Sequence, residues 1–207
     1  MYHLIYFIVE GKTEGEFVSK VLSNYLIKHN INVDYMILYG NINFDRLRNE
    51  ITNILKERDG CWKITTMIDL YRLKSPEKFP GYDKNLKGYN LVEKLESELK
   101  NFFNDRRFIP YFSLHEFEAL LFSDVNIFKE IPNVNNKQIT DLYNKLKEYK
   151  SNPELINQNK GPSEHIKGII SRYNKVVHGK ELCEKIGIDT IRKHCKHFNE
   201  WIEKLIQ

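Results

Sequence analysis

Acidic side chains recur in this sequence where apolar, β-branched runs come to an end. Glu10 follows the run that closes at Val9, Asp69 lies near the end of the run at 63–70, and His115, Glu116 and Glu118 follow the run at 107–114. Glu14 stands one helical turn beyond Glu10. A carboxylate there is favoured beside the unpaired N–H groups of a helix start and can also face back toward Glu10. In an open parallel sheet, ligands bind at the carboxyl ends of the strands. Carboxylates gathered at one such edge repel one another unless a cation holds them, and hard oxygen donors suit Mg²⁺ or Mn²⁺. An ion held that way orients water and stabilises charge on a reacting phosphate.

Each of these residues also has a purely structural use. Glu14 and Glu16 are favourable charges in a first helical turn, and Asp69 can cap a turn after a strand. If 117–122 is helical, Phe117, Leu120 and Leu121 take the core face. His115 and Glu118 then share another face, with Glu116 rotated away from Glu118.

The elements that must position these side chains alternate in period. Strands are predicted at 2–9, 32–39, 63–70 and 107–114. Between them, Thr13 and Glu16 form a capping-box pattern ahead of a helix running to His29. Leu47, Ile51, Ile54 and Leu55 mark a second helix, and Asn90 caps a third that ends near Phe103. A loop with Pro76, Pro80 and Gly81 precedes that third helix, and long loops are often functional. Beyond Glu116 the pattern is helical, at 117–122, 137–150, 163–174, 179–186 and 189–206. Four strand–helix alternations predict an α/β fold, a mostly parallel four-stranded sheet flanked by helices. Residues 1–125 form that core, and 126–207 form a helical extension packed on it.

The chain has 207 residues, 41% hydrophobic and 29% charged, which excludes disordered and fibrous classes. Its 32 basic against 28 acidic residues leave +4, compatible with nucleic acid without the charge density that would require it. The longest apolar run, 4–9, is too short for a membrane span, and no secretory leader is expected at the N-terminus. Cys61, Cys183 and Cys195 are an odd, dispersed set, expected as reduced thiols in the cytoplasm. Cys183, His194, Cys195 and His197 lack the paired spacing of structural zinc sites and read as surface helix residues.

Val9-Glu10-Gly11-Lys12-Thr13-Glu14 resembles the opening of Toprim domains, especially those of the overcoming-lysogenization-defect (OLD) nucleases. The segments at 68–71, 79–81 (FPG), 115–122 (HEFEALLF), 161–163 (GPS) and 197–201 (HFNEW) resemble the DUF4276 family more specifically. The resemblance implies a Toprim-like fold and a metal-dependent nuclease that cleaves DNA or RNA beside a partner ABC-type or OLD-type ATPase. It places Glu10 on the family glutamate, Glu14 on the second OLD-type glutamate and Asp69 on the first aspartate of a DxD motif. Tyr71 stands where the second aspartate belongs, so Glu118 or Glu116 must replace it.

The metal set expected is therefore Glu10, Glu14, Asp69, Glu116 and Glu118, with His115 either supporting those ligands from behind or transferring a proton. Lys167 matches the lysine near the scissile phosphate. Arg72, Lys84, Lys160 and Arg172 are expected to meet nucleic acid. No aromatic-rich RNA-recognition signature is present, so sequence-specific reading is not expected. The alternative the missing aspartate favours is a catalytically silent module that binds nucleic acid or nucleotide for the ATPase.

Overall fold

The computed structural model describes residues 3–156 and 160–207; Tyr2, expected to open the first strand, lies outside them. β1 (His3–Val9) lies between β2 (Ile31–Ile37) and β3 (Lys63–Asp69). The far side of β3 carries β4 (Phe108–Ile109) and β5 (Phe112–Ser113), and every pairing is parallel. The expected α/β class is the one observed. Side-chain alternation along β1 divides the core in two. Ile5, Phe7 and Val9 face one cluster, with the first helical segment and the chain beyond Phe117. Tyr6 and Ile8 face the other, with α3 (Phe44–Glu57) and α4 (Gly88–Phe103).

The chain steps from β1 outward to β2 and then back across to β3, so the direction of winding reverses between β1 and β3. Such a reversal opens a crevice at the carboxyl ends of the two strands. Glu10 and Asp69 stand at that crevice.

Several elements differ from the sequence expectations. The single strand at 107–114 is two short pieces, because Pro110 has no N–H for the ladder. The Thr66 hydroxyl bridges the gap, donating to the Tyr111 carbonyl at 2.9 Å and accepting from the Tyr111 N–H at 2.8 Å. Thr13 caps nothing. α1 (Lys12–Glu16) starts at extended Gly11 without a side-chain cap, then continues through a π-helical stretch at Phe17–Leu22 into α2 (Ser23–Leu26). Asn90 lies inside α4, whose first residue is Gly88. The HEFEALLF segment enters a 3₁₀ run, Phe117–Glu130, kinked at Asp124 and buried on all sides from Phe117 to Ser123.

The helices beyond are α5 (Asn136–Glu148), α6 (Pro162–Ile169), α7 (Lys175–Ile186), α8 (Ile188–His194) and α9 (Lys196–Ile206). The helix expected over 189–206 breaks at extended Cys195, between α8 and α9. That break turns Cys195 and His197 inward. Cys183, Cys195 and His197 are buried rather than on the surface, and only His194 is exposed.

Two family segments find structural explanations. In FPG, Phe79 packs on Phe44 and Phe112, while Gly81 has φ +84 and lies so close to α4 that a Cβ would meet the Lys94 carbonyl at 2.7 Å. The HFNEW segment ties α9 to the sheet. Trp201 donates from Nε1 to the Thr65 hydroxyl at 2.8 Å, and Tyr111 stacks on both Trp201 and His197. His197 Nε2 lies 3.0 Å from Glu96 Oε1, and Glu154 accepts the first N–H groups of this segment from His197 and Phe198. Buried hydrogen bonds of this kind favour one arrangement of packed layers, although the His197 Nδ1 has no partner of its own.

Candidate functional site

At the crevice between β1 and β3 lies a cavity of about 200 Å³. Glu10, Glu14, Asp69, Glu116 and Glu118 line it with Arg72, and the start of α1 at Lys12 and Thr13 closes one side. All the carboxylates expected to hold metal thus meet in one cavity. Each arrives by a different local device. Glu10 immediately follows β1, and its Oε2 accepts the Asp69 N–H at 3.1 Å, linking the two strand ends. Asp69 caps the 3₁₀ turn Leu70–Arg72, its Oδ1 accepting the Tyr71 N–H at 2.8 Å. Glu14 folds back over the turn, where its Oε2 would meet a Cβ on Gly11 at 3.1 Å.

Glu116 joins two family segments. Its Oε2 accepts the Ser163 N–H at 3.2 Å and the Ser163 hydroxyl at 2.6 Å, at the first turn of α6. A Cβ on Gly161 would stand 2.7 Å from that same oxygen, so a larger residue in the GPS turn would displace the Glu116 carboxylate. Its Oε1 lies 3.5 Å from the Arg72 guanidinium. Glu116 therefore anchors α6 and aims Arg72.

Glu118 is different. It is 0% exposed, and neither carboxylate oxygen has a hydrogen-bond partner of ordinary geometry. The buried Tyr173 hydroxyl beside it is equally unsatisfied. An orphaned buried carboxylate is costly unless it is neutral or held by a cation. Burial accordingly pushes the Glu118 carboxyl up to about 7, opposed by the Lys175 charge. Glu10 is raised to about 7, first by burial and then by the neighbouring carboxylates, against the Asp69 N–H that lowers it. Asp69 is raised to about 6, again chiefly by burial.

His115 faces elsewhere. The expected sharing of a face by His115 and Glu118 fails because residues 115 and 116 precede the 3₁₀ run, and Glu116 is extended. Glu116 and Glu118 line the carboxylate cavity together, whereas His115 lines a neighbouring one. Burial lowers its imidazole to about 4, so it is neutral near pH 7. Lys167 is exposed on α6 and stands outside the lining of the cavity, as do exposed Lys84, Lys160 and Arg172. Besides Lys12, the cation the fold brings there instead is Lys175, at the start of α7. No spacing rule links it to the acids, since only tertiary packing brings α7 beside them.

The donors match a hard cation in kind: all are oxygens, and one buried carboxylate lacks a hydrogen bond of ordinary geometry. In the side-chain positions described, no three His, Cys, Asp or Glu residues stand close enough to share an ion, so binding would require the carboxylates to rotate inward. Among the described residues no helix is long and apolar enough to cross a membrane, and the three cysteines are free and buried.

An open parallel sheet with carboxylates at its winding reversal defines an α/β protein with an acidic crevice at the strand ends. Residues 9–206 match DUF4276, a domain of unknown function, and the chain belongs to that family. Among curated proteins none matches it. Solved structures similar to it include the C-terminal region of the OLD protein of Xanthomonas campestris pv. campestris. The iodine-phased structure is 16% identical, with 96% of this chain and 95% of that chain covered and a TM-score of 0.41. The mercury-phased one is 16% identical, with 98% of each chain covered and a TM-score of 0.40.

Proposed function

We propose that the cavity holds Mg²⁺ or Mn²⁺ and that the protein is a metal-dependent nuclease, working in the cytoplasm with a partner ATPase. The observation that carries this reading is Glu118, a fully buried carboxylate with no hydrogen bond of ordinary geometry, lining one small cavity with Glu10, Glu14 and Asp69. A bound divalent ion would supply Lewis acidity and a water of lowered pKa. The side chains have separable tasks. Glu10, Asp69 and Glu118 would supply the charge that holds the ion, with Glu14 adjoining. Arg72, held by Glu116, and Lys175 would face the phosphate and offset charge developing on its oxygens. His115, neutral and outside the cavity, would be confined to a supporting role.

One observation favours the silent-module reading: Tyr71 occupies the position of the second family aspartate and stacks on His115, so one expected oxygen donor is absent. A cleavage assay separates the two. Wild type and Glu118→Gln, each with its partner ATPase, are given labelled DNA and RNA with Mn²⁺ or EDTA. Loss of at least about 10-fold in Mn²⁺-dependent cleavage is expected, since even outer-shell changes typically cost about 10–100-fold. Wild-type cleavage by Glu118→Gln, or none by wild type, would favour the silent module.

A further inference from the structure

The two segments that shape the carboxylate cavity also shape a second one, on their other side. Asp69 and Arg72 line the first cavity, while Tyr71 between them lines a space of about 860 Å³. Glu116 lines the first and its neighbour His115 the second. Neighbouring residues of the segments 69–72 and 115–116 thus line different cavities.

The second cavity has the character of an aromatic platform. Tyr71 is 58% exposed. Its inner face stacks on His115, with ring centroids 5.7 Å apart and planes at 16°. His115 is itself buried, and its Nδ1 has no hydrogen-bond partner. Backed on one side and open on the other, the Tyr71 ring is a surface on which another flat ring can lie. Tyr89 lines the same space, its hydroxyl held by Glu200 at 2.6 Å, with Lys87 and Asn90 beside it. Among the described residues, the ring contact of Tyr71 is the one with His115.

We propose that this second cavity takes the base of an unpaired nucleotide, stacked on Tyr71, from the same strand whose phosphate enters the carboxylate cavity. The inference rests on the nuclease reading above and adds the substrate class: single-stranded or locally unpaired nucleic acid. A base inside a duplex cannot reach such a platform without leaving its stack. Stacking on an aromatic ring tolerates any base, so the site selects strandedness and not sequence. Lys87 supplies charge for the backbone, and Asn90 supplies an amide for a base edge.

The test is fluorescence anisotropy on the whole chain in EDTA, where nothing is cleaved. The probes are labelled single strands of about 12 nucleotides, within the usual span of such sites. They are made as DNA and as RNA, and compared with the same sequence as a duplex, with an abasic strand and with a free mononucleotide. Tyr71 is exposed, so its variants should fold. At least one single strand should bind about 10-fold more tightly than its duplex, the abasic strand or the mononucleotide. Tyr71→Ala should weaken that binding about 10-fold, within the range measured for one base–aromatic stack, and Tyr71→Phe should keep it.

Equal binding by Tyr71→Ala, equal binding of duplex or abasic strand, a mononucleotide binding as well as the strand, or no binding at all would overturn the proposal. Since the measurement needs no metal, its failure is distinct from that of the nuclease reading. Cleavage by wild type with unchanged binding by Tyr71→Ala would remove the platform alone. Strand-selective binding lost in Tyr71→Ala, with no Mn²⁺-dependent cleavage, would remove the nuclease alone.

Discussion

At the scale of single residues Glu118 matters most, because a charge in its buried position is offset only in part, by Lys175. Burial raises its folded-state value from 4.5 to about 7. Between those values the folded chain holds a proton that the unfolded chain has released. Stability from this group is therefore full below the lower value and is lost as pH rises through the upper one. Glu118→Gln keeps the shape and stays neutral. In EDTA its Tm relative to wild type should move in the variant's favour between about pH 5 and about pH 8. Mn²⁺ at pH 8 should raise the Tm of wild type and leave the variant where it was, because only a ligand bound to the folded state stabilises it. A Tm difference that is flat with pH would mean that the Glu118 carboxylate is satisfied in solution. This residue could be nominated from its place after a strand, but the sequence pattern does not reveal that it is orphaned. That depends on every side being packed, and the 3₁₀ run buries 117–123 with no exposed face.

At the scale of elements, the strands were legible because short β-branched runs between turn residues leave few alternatives. The fourth was misjudged because Pro110 lies inside an apolar run, and the repair comes from Thr66, far away in sequence. Thr66→Val should remove both bonds to the Tyr111 backbone and leave buried N–H and C=O groups unpaired. A loss of about 2 kcal/mol in urea denaturation is expected, within the usual cost of stranding such groups. A loss near zero would show that Thr66 only fills space. The cap misassignments share one cause. Thr13 and Asn90 have the right chemistry for caps, but the chain enters both helices earlier, at Gly11 and Lys87, for tertiary reasons. Those starts set where Lys12 and Thr13 stand against the acids, so the geometry of the cavity is decided by packing that local sequence does not encode.

At the scale of the whole molecule, the sheet and the C-terminal helices share one hydrophobic cluster, which contains Phe7 of β1 together with Phe198 and Trp201 of α9. Helix content and the environment of Trp201 should therefore be lost together. In a Trp62→Phe background, where Trp201 is the remaining tryptophan of the 2 in the chain, urea curves from circular dichroism and fluorescence should superimpose. Two separated transitions would mean that the layers fold independently. The same shared core holds Lys175 from the helical part against Glu10 and Asp69 from the sheet, so the complete cavity exists only when both are in place. The most direct measurement on that cavity is calorimetric titration of Mn²⁺ into wild type and Glu10→Gln at neutral pH, with folding of the variant checked by circular dichroism. The account predicts saturable binding by wild type and, in the folded variant, an affinity lower by at least about 10-fold, since a carboxylate ligand is lost where even outer-shell changes cost that much. Equal Mn²⁺ affinity in the two proteins, or no binding by wild type, would contradict it.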